Sequence, residues 1–400
     1  MTKSFDDFQA GVAWRILLLA TLAHAAATVL VVGPAFLIPL WHLEDDIPLG
    51  LAGLLSAAPT IGMVGTLVGW GALADRVGER AVISSGLGLT SAVAVVASVV
   101  SGLGPLFISL LLCGAASASV IAASGRVVVG WFPPRRRGLA MGIRQTAQPL
   151  GVAVAAVTVP VLSERGGVPA ALLPFAAAAA LLSIACAFWL KNPAVTIPER
   201  PQKAPARFGP YRSDRFLVRI HLASILLVIP QIALSTFGVL WFITAFGWSP
   251  VAAGFIVAVA QLVGAIGRAL VGHASDAMGS RVRILRWIAL CGVLVLLMLI
   301  PADVAGLAGL AAISFVIASA ISVADNGIAT IAVAEAAGSG WTGRSVGIQN
   351  TGQYAAAAAV APAFGYVIAN YGYPISFIIL AATPLLAFPL IPQRDKFDLG

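Results

Sequence analysis

"GWGALADRVGER", residues 69–80, ends one apolar run and opens the next. Its echo, "VGHASDAMGSR", stands at 271–281. Gly71 aligns with Gly272, Asp75 with Asp276, Gly78 with Gly279 and Arg80 with Arg281. The same charged, glycine-bearing turn at matching places in two halves implies a duplicated chain. Glycines let two helices turn tightly and approach closely. An aspartate there can meet the positive N-terminal end of a helix from the other half. Arg76, Arg80 and Arg281 can anchor at an interface and pair with acids.

Working outward, the setting of both loops is apolar. Of 400 residues, 60% are hydrophobic and 10% charged, where a soluble domain carries about a quarter charged residues. The mean hydropathy is +0.97, which points to a bilayer as solvent. A formal charge of +8 raises nucleic acid as a partner. However, the basic residues form no aromatic-interleaved patch, so none is expected. They sit in short clusters between apolar runs, as in membrane proteins. Cys113, Cys186 and Cys291 lie in apolar segments without pairing or metal-ligand spacing and read as packing residues. The start, "MTKSFDDFQAGVAWR", lacks the pattern of a removable signal peptide.

Twelve segments are long enough to cross hydrocarbon, at about 20 residues each. They are 14–40, 49–73, 81–101, 105–131, 138–162, 169–190, 218–245, 250–273, 284–301, 306–334, 344–369 and 374–392. Lipid-exposed backbone must bond to itself, so these are expected to be helices. The expected fold is an all-α membrane protein with 12 transmembrane helices in two pseudo-symmetric six-helix bundles. The bundles are residues 1–190 and 218–400, joined by a Pro- and charge-rich linker, 191–217. With both termini in the cytoplasm, cytoplasmic segments hold 20 of the 24 basic residues. That asymmetry sets the expected orientation. Arg165 is then outside, and Arg126, Arg144 and Arg268 are within the membrane. The first outer loop, "WHLEDDIP", is acidic, and Trp41 and Trp131 fit an interfacial belt.

The loop at 69–80 resembles the signature of the major facilitator superfamily, G-x-L-A-D-R-x-G-R-K. Glu79 departs from it after Gly78, and Ala277 and Met278 weaken the second copy. The resemblance implies two six-helix bundles around a central path, with alternating access. It implies that Asp75 holds the outward-open form by binding the start of span eleven, near Gly343 to Ser345. The setting of Arg268, "GRALVG", is similar to span eight of the monocarboxylate and oxalate transporters, where an arginine binds substrate carboxylate.

A second echo pairs "GIRQTAQ", 142–148, with "GIQNTGQ", 347–353. Arg144 and Gln148 are four apart and share a helix face, as do Gln349 and Gln353. Arginine in one half replaces glutamine in the other. An intramembrane arginine costs at least about 2.5–3.5 kcal/mol unless it faces a cavity or partner. Arg144 and Arg268 lie at similar depth, and a guanidinium fork suits carboxylate. Gln261, seven residues before Arg268, can add a neutral hydrogen bond, and Asn326 lies beside Asp325 in "SVADNGIAT". Asp325 is the one acid deep in a span and must be protonated or paired. His24, in the middle of span one, can titrate near neutrality or be a satisfied core histidine. Glu335 reads as a gate or surface partner, and Arg126 as structural.

The expected substrate contacts are Arg144, Arg268, Gln261, Gln148, Gln349, Gln353 and Asn326. The expected proton groups are Asp325 and His24. Gly71, Asp75, Arg76, Gly78, Arg80, Gly272, Asp276, Gly279 and Arg281 form the expected conformational gate. There is no nucleophile–base set, phosphate loop or metal cluster, so neither an enzyme nor a cofactor is expected. The reading is a monomeric inner-membrane carrier that moves a small organic anion with protons. The rivals are proton-coupled efflux of hydrophobic or cationic compounds, and a sensor that signals without transport. The short tail "PQRDKFDLG" disfavours the sensor.

Overall fold

A computed structural model describes residues 2–132, 140, 142–192, 210–211, 215–337 and 341–396. Side chains are described for all of these except 2–10, 75, 125–126, 128–130, 276 and 342–343. Among the described residues every regular element is helical. Ten helices are long and apolar enough to cross a membrane.

Two of the ten are too long for one crossing. Ala147–Trp189 has 43 residues and Thr342–Leu390 has 49. At 1.5 Å per residue they would run about 65 and 74 Å, against a hydrocarbon core of about 30 Å. Each is broken where the backbone leaves the helical region. Gly166 and Gly167 (φ 62°) break the first, and Gly372 (φ 75°) breaks the second. Positive φ suits glycine, and Pro169 and Pro374 follow within two residues and end any continuing hydrogen-bond ladder. Two breaks turn ten helices into twelve crossings, as the sequence implied.

The tenth crossing departs from expectation. In place of one continuous span there are two half-helices, Ala308–Ser322 and Asp325–Ala337, joined at Val323–Ala324. The junction contains neither Gly nor Pro. Asp325 is the first residue of the second half, where exposed helical N–H groups favour an anionic side chain.

The chain forms two compact units. One is Met1–Leu40 with Leu55–Pro198, and the other is Trp41–Leu54 with Glu199–Gly400. In the first unit, helix Thr2–Phe36 packs on Ala147–Trp189 and on Leu103–Trp131, and Glu79–Val99 packs on both of the latter. Without water to drive apolar contact, such packing relies on small residues and interhelical hydrogen bonds. A side chain at Gly114 would overlap the Pro59 carbonyl, and one at Gly62 the Leu111 carbonyl. Thr66 Oγ1 and Trp70 Nε1 both donate to Ala115 O, at 2.8 and 2.7 Å. Ser91 Oγ and Ser183 Oγ donate across helices to Ala176 O and Ser84 O, each at 2.7 Å.

In the second unit, Thr342–Leu390 packs on Phe216–Phe246 and Arg281–Leu297, and Ala308–Ser322 packs on Pro250–Ala277. An aromatic cluster joins these helices, with Trp241 in ring contact with Phe242, Phe315, Tyr373 and Phe377. The buried Trp241 Nε1 donates to Asp303 Oδ1 at 2.6 Å. Large apolar side chains such as Val68, Leu181, Phe188 and Ile266 remain exposed. Such a surface suits lipid.

Candidate functional site

The two duplicated loops are built alike. Gly78, at φ 86°, ends helix Leu49–Val77, and the Arg80 backbone N–H donates to Asn192 Oδ1 at 2.9 Å. In the second copy Gly279, at φ 60°, makes the turn, and Ser280 caps helix Arg281–Leu297 by accepting from Arg283 N at 3.2 Å. Asp395 plays the part that Asn192 plays in the first half. Its Oδ1 accepts from Arg281 N and Val282 N, both at 3.1 Å, and its Oδ2 accepts from Ser280 Oγ. Arg281 Nη1 donates to Ser275 Oγ at 3.1 Å, and Nη2 pairs with Glu335 Oε1 at 3.5 Å. Arg76 and Arg80 are exposed, and Gly71 and Gly272 are half-buried. The side chains of Asp75, Asp276 and Arg126 lie outside the described residues, and so does the expected contact of Asp75 near Gly343.

In the first unit Arg144 is half-buried, and its Nη1 donates to Ser124 Oγ at 3.4 Å. The guanidinium is within electrostatic reach of His24. His24 is 8% exposed, and its Nδ1 has no hydrogen-bond partner among the described residues. Two residues assigned separate tasks from sequence thus stand together. Gln148, one turn on, is exposed.

The second unit gathers more of the expected residues around the broken tenth span. Interrupting a helix frees backbone carbonyls, and these need donors. Arg268 Nε donates to the Val323 carbonyl, within the junction, at 3.2 Å. Nη1 and Nη2 make no hydrogen bond among the described residues. Val323 also lines a cleft with Gln231, Ser235, Gln261 and Ser319. Asn326 Nδ2 donates to Gln231 Oε1 at 3.0 Å. Gln261 thus lines the cleft itself, Asn326 bonds a residue that lines it, and Arg268 bonds the backbone of another.

Asp325 is fully buried, and neither carboxylate oxygen has a hydrogen-bond partner among the described residues. It faces a pocket that is otherwise almost wholly apolar, with Leu227, Pro230, Ile288, Leu296 and Pro384. The positive charge of Arg268 acts on it across the junction. Asp325 thus has Arg268 as its electrostatic counterpart.

Gln349 lies inside the second unit, and its Oε1 has no hydrogen-bond partner among the described residues. It is 1% exposed, and its Nε2 donates to Ser224 Oγ at 3.1 Å. Gln353 Nε2 is buried without a partner among the described residues. Sequence reading passed over Gln231, Ser235 and Ser319, although a glutamine and two serines inside apolar runs were a usable signal. Asn192 and Asp395 gave none, because each acts on a loop more than a hundred residues away. Among the described residues no three His, Cys, Asp or Glu side chains are grouped to hold a metal ion.

Twelve crossings, a duplicated loop and polar groups held inside apolar bundles define a polytopic membrane carrier. The chain belongs to the Major Facilitator Superfamily, whose family model matches residues 16–362. It is 41% identical over 397 residues to the uncharacterized MFS-type transporter Rv2994 of Mycobacterium tuberculosis (strain ATCC 25618 / H37Rv), covering 98% of this chain and 87% of that one. An equal match is found in strain CDC 1551 / Oshkosh. In fold it is similar to a bacterial homolog of the human lysosomal transporter Spinster, with a TM-score of 0.80 and 14% identity, covering 94% of this chain and 95% of that one. It is also similar to the nucleoside transporter NupG, with a TM-score of 0.73 and 14% identity, covering 95% and 98%. The protein is therefore a multi-pass membrane transporter, not an enzyme.

Proposed function

We propose that this transporter moves a small organic anion together with protons, by alternating access of two six-helix bundles, residues 1–190 and 218–400, about the linker 191–217. The observation that carries the reading is Arg268. Its Nε is spent on the broken span, its two terminal amino groups are open to a carboxylate, and its charge acts on an otherwise unpartnered Asp325. An arriving anion draws on the same cation that balances Asp325. A buried carboxylate that loses its counter-charge is costly unless it takes a proton. Anion binding and proton uptake thereby become one event. Arg144 beside His24 supplies a second cationic centre in the other bundle. The resemblance to monocarboxylate and oxalate carriers points the same way. The distribution of basic residues supports a reading in which both termini and the linker face the cytoplasm across an inner membrane, with the carrier acting as a monomer.

The test is proton flux in liposomes. With purified protein reconstituted and a pH-sensitive dye inside, an imposed gradient of a transported organic anion should drive protons in the same direction. Anion movement without proton movement would refute the coupling.

A second reading, export of hydrophobic compounds, has one observation in its favour. Trp241, Phe315, Phe364, Tyr373 and Phe377 line a largely apolar pocket in the second unit. Drug-driven proton release from the same liposomes would support it over the anion reading.

A further inference from the structure

We infer that the cleft of the second unit selects a polyhydroxylated organic acid, reading its hydroxyl groups through an oriented donor, Gln231, and an acceptor, Ser235. This deepens the organic-anion reading above and rests on it for the carboxylate alone. Gln231 and Ser235 are one turn apart on helix Phe216–Phe246, and both line the cleft. A glutamine amide can present either its oxygen or its amino group. In the structure Asn326 Nδ2 donates to Gln231 Oε1 at 3.0 Å, and this pairing occupies the amide oxygen. The Nε2 amino group is left to meet a ligand, so Gln231 is a donor.

Ser235 is the complement. Its Oγ donates its one proton to the Ile232 carbonyl of its own helix at 3.0 Å, which leaves lone pairs. A hydroxyl group accepts from Gln231 and donates to Ser235. A carboxylate only accepts, and a methylene does neither. Gln231, Ser235 and Gln261 are only half-buried, so these groups remain reachable. Gln261 and Ser319 add hydrogen-bonding capacity across the cleft, enough for more than one hydroxyl.

Spacing sets the length. Gln261 and Arg268 are seven residues apart on helix Pro250–Ala277, about 10 Å along its axis. A chain of roughly six carbons bridges that distance with a hydrogen bond of about 3 Å at each end. The carboxylate lies at Arg268 and the hydroxyls lie toward Gln261 and Gln231. Sites built to hydrogen-bond a hydroxyl discriminate strongly against analogues that lack it, because their own groups are left unpaired.

The experiment is calorimetric titration of the purified full-length protein with three probes: gluconate, hexanoate and glucitol. Gluconate should bind at least tenfold more tightly than hexanoate. Gln231→Leu should bring gluconate down to the level of hexanoate and leave hexanoate unchanged. Asn326→Ala, which only releases the amide, should shrink the gluconate preference, and Ser235→Ala serves as a second variant should Gln231→Leu fail to fold. Equal binding of gluconate and hexanoate to the unaltered protein overturns the inference and leaves the anion reading standing. Binding of glucitol with neither acid overturns the anion reading and keeps the hydroxyl-reading pair. A gluconate preference that survives Gln231→Leu or Ser235→Ala overturns the roles assigned here, and binding of none of the three overturns both readings.

Discussion

Replacing Arg268 by lysine tests the proposed anion site without removing its charge. In the structure one guanidinium does two jobs. Nε holds the Val323 carbonyl at 3.2 Å, and Nη1 and Nη2 stay available. A lysine ammonium is a single point donor and must choose between the broken span and the ligand. Either choice forfeits one hydrogen bond to a charged group, a loss of about 1.5–3 kcal/mol. That is roughly a ten- to hundredfold loss of affinity. If the ammonium turns to the ligand, the Val323 carbonyl is orphaned instead, and the loss moves from affinity to thermal stability. The assay is titration of a transported anion against purified Arg268→Lys, with the melting midpoint measured on the same samples. Unchanged affinity together with an unchanged midpoint would refute the dual role.

Asp325→Asn should abolish uphill accumulation in proteoliposomes under an imposed pH difference while keeping anion exchange, since exchange moves no net proton; accumulation at the unaltered level would place coupling elsewhere, with His24 next to test. Asp395→Ala removes the acceptor shared by Ser280 Oγ, Arg281 N and Val282 N, and a lost helix cap costs about 0.5–2 kcal/mol. Hydrogen exchange at residues 281–283 should quicken while residues 79–82, held by Asn192, stay protected. For orientation, a cysteine introduced as Asp45→Cys should react with an impermeant reagent on intact cells, and one introduced as Gln202→Cys should not; the reverse pattern overturns the topology.

The crossings were legible because bilayer thickness writes directly into the length of an apolar run. Even the two helices that run through a break carried their signals, "ERGGVP" at 164–169 and "NYGYP" at 370–374. The gap in the tenth span was visible only as "ADNG", which reads equally as a deep acid and as a helix start. Its partner was hidden, because the contact of Arg268 with Val323 depends on how two helices are packed, which no local pattern encodes. The same holds for Arg144 with His24, both named from the sequence but not as a pair, and for Gln231 with Asn326, of which the sequence named only Asn326. Gln349 illustrates the converse. The echo with Arg144 was real at the level of chain duplication, yet a neutral amide can be buried against one serine, as Gln349 is against Ser224.

Each half of this chain is sealed by its own end. Asn192, just after the sixth crossing, fastens the loop that follows the second, and Asp395, just after the twelfth, fastens the loop that follows the eighth. In each case the chain returns to its own early turn, like a ring closed by its clasp. A gene fusion that joined two such rings would have had no cap to rebuild. By the same logic, two separately translated halves, 1–192 and 210–400, would each arrive with its clasp already in hand.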